Sequence, residues 1–274
     1  DFMNNDTVTL IEPEDGDWYV GDLLTLMNIG KVWDLYNEIG WPGPDGEGTP
    51  MLMLMNWVDG DGEPVKNACY RGKQNGFQLF CFNRVQRDGE CIDLLGHEFT
   101  HCVSDALAVE LPYINDTGAI NEGLSDIMGN LIESYISEDD DPEWLIGEGS
   151  KDPEMVIRCM SDPHRFKQPE YTWDLYYLPN VRTATDENDC GGVHINSSLL
   201  NLIAWRLHEK GMPVEDEFYY WMQVLMAIVP GADYPLMARL LPWSMKQAGF
   251  EAWLPVLEEA VKETRIAEYD PDSV

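Results

Sequence analysis

The sequence predicts an α+β fold with a β-rich N-terminal lobe, a mainly helical C-terminal lobe and a central pair of helices between them. Up to about residue 90, short apolar runs such as MLMLMNWV and GFQLFCF alternate with turn-rich segments, which is typical of strands and turns. From Cys91 onward, apolar residues recur every three or four positions, which is helical spacing. The 274 residues suffice for one large domain or for two lobes that share a cleft.

The N-terminal lobe is predicted over residues 1–90. Cys69 and Cys81 flank the segment YRGKQNGFQLF, which reads as two strands around a turn, so a disulfide across this hairpin and two free thiols both remain open. Cys91 and Cys102 are expected to be buried free thiols.

The central helices are predicted over residues 91–137. The segment CIDLLGHEFTHCVSDALAVE has the spacing of a long amphipathic helix. A second helix is predicted to start after the Asn-Asp-Thr-Gly capping cluster at 115–118, and one apolar stripe runs along it, formed by Ile120, Leu124, Ile127 and Leu131. Residues 138–274 are predicted to form a long loop region to about residue 190 and then a bundle of helices.

The charge balance limits the partners of the chain. Fifty acidic residues against 17 Lys and Arg give a formal net charge of −33, which argues against binding to nucleic acid. A solvated acidic surface, adaptation to high salt and calcium-binding clusters all remain open. The longest apolar runs are interrupted well before the roughly 20 residues that a membrane-spanning helix needs, so no span is expected. The first ten residues, DFMNNDTVTL, do not read as a signal peptide, so any signal or pro-segment is expected to precede this sequence.

The strongest chemical signal is the H-E-x-x-H segment from His97 to His101. Residues four apart lie one helical turn from each other, so both imidazoles can reach one metal ion while Glu98 lies beside it. Two surface histidines are the alternative. A catalytic zinc ion has three protein ligands and an open position for water. Glu122 on the second helix offers the third ligand, and Asp126, one turn later, could orient a ligand imidazole.

Such a centre predicts hydrolysis. Zinc acidifies a bound water molecule and polarises a carbonyl group, and Glu98 is placed to take the proton of the water and pass it to the leaving amine. His194 follows a double glycine, and Asp189 lies five residues before it. From the residues alone, an oxyanion-stabilising His194 held by Asp189 and a structural histidine both remain open.

The segments HEFTH, GAINEGLSDIMGN, RCMSDP and DCGGVHINS, in this order, resemble those of the thermolysin-like zinc metallopeptidases of the gluzincin clan. The resemblance covers about residues 67–250, and the segment before it is shorter than the family norm, which implies a reduced N-terminal lobe and a more open cleft. It implies that His194 stabilises the oxyanion with help from Tyr113 and that Asn121 supports the metal ligands. It also implies that the substrate is bound by Asn67, by the edge-strand residue Ala68 and by Arg158.

The resemblance also gives the acidic clusters a role. Two structural calcium ions are expected at the positions of Asp93, Glu133, Asp141, Glu143 and Glu148. Cys159 and Cys190 directly follow Arg158 and Asp189, which suggests a disulfide that braces the pocket.

The sequence therefore predicts a secreted zinc endopeptidase that acts on proteins or peptides, and the resemblance implies that it is made with a pro-segment. Bulky apolar residues after the scissile bond are expected to fit a pocket formed by Leu94, Ile157 and Val85. Two alternatives are a gluzincin aminopeptidase, which lacks support because no G-A-M-E-N-like segment is present, and a catalytically silent, calcium-stabilised surface or binding protein.

Overall fold

The computed structural model describes residues 12, 17–58, 62–63, 65, 67–84, 86–107, 111–137, 143–149 and 156–268. Eight helices and five strands alternate along this part of the chain: α1 Val20–Glu38, β1 Met51–Met55, β2 Cys69–Gln74, β3 Phe77–Phe82, α2 Ile92–Ala106, α3 Asn115–Ser137, β4 Leu145–Ile146, β5 Arg158–Cys159, α4 Asp189–Asn196, α5 Ser198–Glu209, α6 Val214–Ala227, α7 Tyr234–Gln247 and α8 Leu254–Thr264. The structure confirms the predicted α+β class. The domain boundaries at 90/91 and 137/138 stay predictions.

The N-terminal region contains a small sheet and a helix that the sequence analysis did not predict. Strand β3 lies in the middle of the sheet, parallel to β1 and antiparallel to β2, so β2 is an edge strand. Helix α1 buries Ile29, Val32 and Tyr36 but leaves Val20 and Leu26 at least 60% exposed. Because apolar residues occur on both of its faces, the helical period is hard to detect in the sequence.

The centre of the fold is the contact between α2 and α3. The predicted stripe of α3 is completely buried, as are Leu95 and Phe99 of α2. The two helices approach closely at Gly96, where a Cβ atom would lie 3.0 Å from the Cα of Gly129. Helix α3 begins at Asn115, so the cluster predicted to precede the helix forms its first turn instead. Helix α2 ends at Ala106, before the end of the predicted segment.

The helical lobe follows a largely irregular segment. Between residues 143 and 188 the described chain contains only the short strands β4 and β5 and short 3₁₀ helices. Helices α5 to α8 then form the helical part predicted for this region, and α5 and α6 pack against α3. No helix in the described ranges is both long and apolar enough to cross a membrane.

All six cysteines are free thiols. Cys69 and Cys81 face each other as register partners on β2 and β3, without a disulfide between them. The suggested disulfide between Cys159 and Cys190 is wrong. The thiol of Cys159 is buried in β5 and contacts the Oγ of Ser161 at 3.2 Å, whereas that of Cys190 lies on a partly exposed turn near Asp186.

Candidate metal centre

Three side chains from α2 and α3 converge on one point. His97 and His101 lie one turn apart on α2, and their Nε2 atoms are 3.0 Å from each other. Glu122 on α3 places its carboxylate oxygens 3.4 Å from each of these nitrogens. The approach of the helices at Gly96 and Gly129 brings the third residue within reach.

The donor set fits a zinc ion. Oε2 of Glu122 is buried and has no hydrogen-bond partner, although an isolated buried carboxylate oxygen is costly. Two imidazole nitrogens that face each other across 3.0 Å cannot both keep their lone pairs there without a cation or a proton between them. Two histidines and one carboxylate in tetrahedral reach are the donors that catalytic zinc takes in proteins.

A second set of contacts holds the imidazoles of the two histidines. Nδ1 of His97 lies 2.9 Å from Oδ1 of Asp126, and Nδ1 of His101 lies 3.1 Å from Oγ of Ser125. Ser125 was not predicted from the sequence, although it lies three residues after Glu122 and thus on the same face of α3. Asn121 was expected to support the ligands, but its Oδ1 is buried without a hydrogen-bond partner.

Asp126 also accepts hydrogen bonds from the guanidinium group of Arg158 and from the side-chain amide of Asn201. Arg158 donates from Nη2 to Oδ1 of Asp126 at 2.6 Å, and Asn201 donates to Oδ2 at 2.8 Å. Burial raises the pKa of Asp126, but the charge of Arg158 and the contact with His97 outweigh burial and lower it. Burial lowers the pKa of His97, yet the carboxylates of Asp126 and Glu122 raise it to about 10 in the metal-free chain. The carboxylates of Asp126 and Glu122 therefore give the centre a negative electrostatic potential, which attracts a cation.

Glu98 faces the cleft beside His97. The residue is 7% exposed, and its Oε2 accepts a hydrogen bond from the backbone N–H of Tyr70 at 2.6 Å. Tyr70 belongs to the edge strand β2, so this bond holds the carboxylate between the metal centre and the sheet. A carboxylate in this position can exchange a proton with a group bound in the cleft.

His194 and Tyr113 approach the same centre from the opposite side. The Tyr113 hydroxyl donates to Oε1 of Glu122 at 2.5 Å and lies 2.9 Å from Nε2 of His194. Nδ1 of His194 lies 2.5 Å from Oδ1 of Asp189. Burial lowers the pKa of His194, but the bond to Asp189 and the nearby Glu122 raise it above its ordinary value. His194 can therefore donate a hydrogen bond towards the cleft, and the hydroxyl of Tyr113 can do so when it turns away from Glu122.

The double glycine before His194 has a structural reason. Residues 189–192 all have positive φ angles, between 51° and 88°, which turns the chain sharply before His194. A Cβ atom on Gly191 would collide with the side-chain oxygen of Asn115, and one on Gly192 would lie 2.9 Å from Leu178. Only glycine fits both the conformation and the space at these two positions.

The centre opens into a cleft of about 580 Å³. Five of the six residues predicted to contact the substrate line it, namely Asn67, Ala68, Leu94, Ile157 and Arg158. Val85 lies outside the described residues. Arg71, Gln86 and Asp105 also line the cleft and were not singled out from the sequence, because no motif marks them.

A second group of acidic side chains comes from α2, α3 and the segment after β4. Ligand atoms of Asp93, Glu133 and Glu148 lie within 4.8 Å of one another. Asp93 is fully buried, and its Oδ1 has no hydrogen-bond partner. Glu143 is not among these three, and its half-exposed carboxylate pairs with Nη1 of Arg165 at 3.3 Å. Asp141 lies outside the described residues.

Comparison with known proteins gives a consistent result. Residues 109–237 match the family model described as thermolysin metallopeptidase, alpha-helical domain. A thermolysin of Alicyclobacillus acidocaldarius is 34% identical over 196 residues, which are 67% of this chain and 32% of that protein. The neutral protease NprE of Bacillus pumilus is 30% identical over 204 residues, 70% of this chain and 60% of that protein. The chain thus spans about a third of the length of the thermolysin and bacillolysin relatives.

The fold has a solved counterpart. The structure of a precursor of protealysin, a metalloproteinase from Serratia proteamaculans, superposes with a TM-score of 0.75 and covers 93% of this chain and 81% of that one. At 24% identity this likeness shows the fold.

Proposed function

Because the chain belongs to the thermolysin-like metallopeptidases, we propose that it is a zinc-dependent endopeptidase that hydrolyses internal bonds of proteins or peptides. The observation that carries this proposal is the convergence of His97, His101 and Glu122 beside Glu98, at the floor of an open cleft. The charge of −33 is no obstacle, since peptides need no basic surface for binding.

In the proposed reaction Glu98 handles the proton. When bound, zinc polarises the scissile carbonyl group and lowers the pKa of a water molecule to about 7. Glu98 accepts the proton of the attacking water and delivers it to the leaving amine, while its bond from Tyr70 holds the carboxylate in place.

His194 and Tyr113 are proposed to stabilise the charge that develops on the carbonyl oxygen. Both donors point towards the metal ligand Glu122, which places them at one edge of the centre. Asp189 bonds to Nδ1 of His194 and keeps the proton on the ring, so that Nε2 can donate. His194 is thereby preorganised as a donor, which lowers the barrier, whereas the hydroxyl of Tyr113 has to turn from Oε1 of Glu122 towards the developing charge.

The cleft walls are proposed to hold the peptide in an extended conformation. Strand β2 is an edge strand, so the chain near Ala68 can pair with a substrate backbone, and Asn67 adds a side-chain amide. Arg158 is buried and fixed by Asp126, which positions its remaining N–H groups for a carbonyl of the substrate. Leu94 and Ile157 favour a bulky apolar residue after the scissile bond.

The remaining proposals concern the surroundings of the enzyme. We propose calcium at Asp93, Glu133 and Glu148, since three clustered carboxylates repel one another unless a cation neutralises them. Secretion is proposed because the relatives include thermolysins and bacillolysins. A pro-segment is proposed because the solved counterpart is described as a precursor.

The Glu98→Gln variant tests the function. Its amide oxygen can still accept the bond from Tyr70, so the fold and the zinc content should match those of the wild type, while kcat should fall by about 10³-fold because the general base is lost. Zinc content is measured by atomic absorption, and turnover by an internally quenched peptide blocked at both ends. Blocked ends distinguish an endopeptidase from an aminopeptidase. Equal turnover by the two proteins would refute the role of Glu98, and no turnover by the zinc-loaded wild type would favour a silent binding protein.

A further inference from the structure

The two histidines of the metal centre are held by different chemical groups. Nδ1 of His97 meets the carboxylate of Asp126, which also carries the bonds from Arg158 and Asn201. Nδ1 of His101 meets the neutral hydroxyl of Ser125 at 3.1 Å. Both Nε2 atoms point towards Glu122. In each ring the nitrogen that faces away from the centre is therefore the one that is bonded to α3.

Asn121 and Ser125 compete for the same position on α3. They lie four residues apart, so their side chains occupy one stripe of the helix and either could reach His101. Ser125 is completely buried and contacts the ring. Asn121 is only partly buried, and its Oδ1 has no hydrogen-bond partner. The contacts thus select the serine.

We infer that Ser125 is the positioning residue of His101. A ligand imidazole must carry its proton on the nitrogen that does not face the metal, and an acceptor at that nitrogen fixes both the tautomer and the ring orientation. The Oγ of Ser125 accepts from Nδ1–H and so keeps the Nε2 lone pair directed at the centre. This inference rests on the proposed zinc centre.

The expected consequence concerns metal affinity. Loss of a group that orients a metal ligand typically weakens metal binding by about 10- to 100-fold. Ser125→Ala should show such a loss, because the small apolar side chain leaves Nδ1–H without an acceptor. Alanine has a high helix propensity and is smaller than serine, so the substitution fits the buried site on α3. Ser125→Thr retains the hydroxyl and should restore affinity to within a few-fold of the wild type.

The experiment measures zinc affinity of the metal-free full chain by competition with a chromophoric chelator. The matched variants are Ser125→Ala, Ser125→Thr and Asn121→Ala, and the Tm of each metal-free protein is recorded alongside. The inference predicts a 10- to 100-fold loss in Ser125→Ala only, with an unchanged metal-free Tm. A loss that appears in Asn121→Ala and not in Ser125→Ala would overturn it, and so would equal affinity in all variants.

Two further outcomes are assigned in advance. If Ser125→Ala does not fold, the remaining pair decides, since the inference requires wild-type-like zinc affinity in both Ser125→Thr and Asn121→Ala. If the wild-type chain binds no zinc, the proposed metal centre fails together with this inference. Zinc binding by the wild type with equal affinity in a folded Ser125→Ala variant overturns the role of Ser125 alone.

Discussion

The contact between α2 and α3 and the N-terminal region with α1 and its sheet are packed in opposite ways. In the first, the apolar stripe of α3 is fully buried and the two backbones approach at Gly96 and Gly129. In the second, α1 leaves Leu26 and Met27 60% exposed, and Gly30 has no atom within 4 Å of the place where its Cβ would be. The comparison teaches that the contact directly under the metal centre leaves no space for a side chain, while the outward face of α1 tolerates open space.

This difference has a functional reason. A metal site needs ligand atoms held to within a fraction of an ångström, and such precision comes from close packing and from hydrogen bonds to the ligands. Asp126 and Ser125 provide these bonds from α3, and the glycine contact sets the distance over which they act. The N-terminal sheet has a different task, because an edge strand must stay open to receive a peptide.

The largest effect is expected where the two helices touch. In Gly129→Ala the new Cβ would collide with the carbonyl oxygen of Asp93 and lie 3.2 Å from the backbone nitrogen of His97. Both are backbone atoms, so the helices must separate, and we expect a loss of about 3 kcal/mol in unfolding free energy. The shift also displaces Glu122 from the histidines and should weaken zinc binding. Urea denaturation and the chelator competition measure these effects. Wild-type stability would show that the close approach is not required.

A second test uses a buried carboxyl group of the helical lobe. Glu217 on α6 is fully buried and lies 3.3 Å from Nδ1 of His208, and burial, only partly offset by His208, raises its pKa to about 7 from 4.5. In the unfolded chain the group ionises at lower pH, so the folded state binds the extra proton between these values. The contribution of protonated Glu217 to the stability of the folded protein is complete below about pH 4.5 and is lost as the pH rises through 7.

Glu217→Gln removes this ionisation. The wild type should lose about 2 kcal/mol of stability between pH 5.5 and pH 7.5 from this one group, while the variant should not. The difference between the two denaturation curves should therefore be small at pH 5 and grow in favour of the variant towards pH 8. A difference that does not change with pH would contradict the raised pKa of Glu217.

The same contrast explains which parts of the molecule can be predicted from the sequence. Helices α2 and α3 bury one face each, so their apolar residues recur at helical spacing, and the H-E-x-x-H segment places His97 and His101 on one turn. Helix α1 has apolar residues on both faces, and its period is blurred. Spacing also could not separate Asn121 from Ser125, because residues four apart share a stripe and only the packing decides between them.

Long-range acidic contacts were the least predictable. Glu143 is close to Glu148 in sequence, yet its carboxylate pairs with Arg165 and is not part of the cluster formed by the other acids. The thiols of Cys159 and Cys190 likewise lie beside different neighbours. Such outcomes depend on the path of irregular segments, for which a sequence carries no periodic signal.

The smallest effect is expected in the loosely packed helix α1. Gly30 lies within α1, its φ angle is not positive, and a Cβ atom would meet nothing within 4 Å. Glycine costs about 0.5–1 kcal/mol relative to alanine inside a helix, because it loses more backbone entropy on folding. Gly30→Ala should therefore stabilise the protein by this amount and raise its Tm by about 1–3 °C, with no change in zinc affinity. The same substitution thus has opposite signs at positions 30 and 129. A loss of stability at Gly30 would mean that α1 is packed as tightly as the helices below the metal centre.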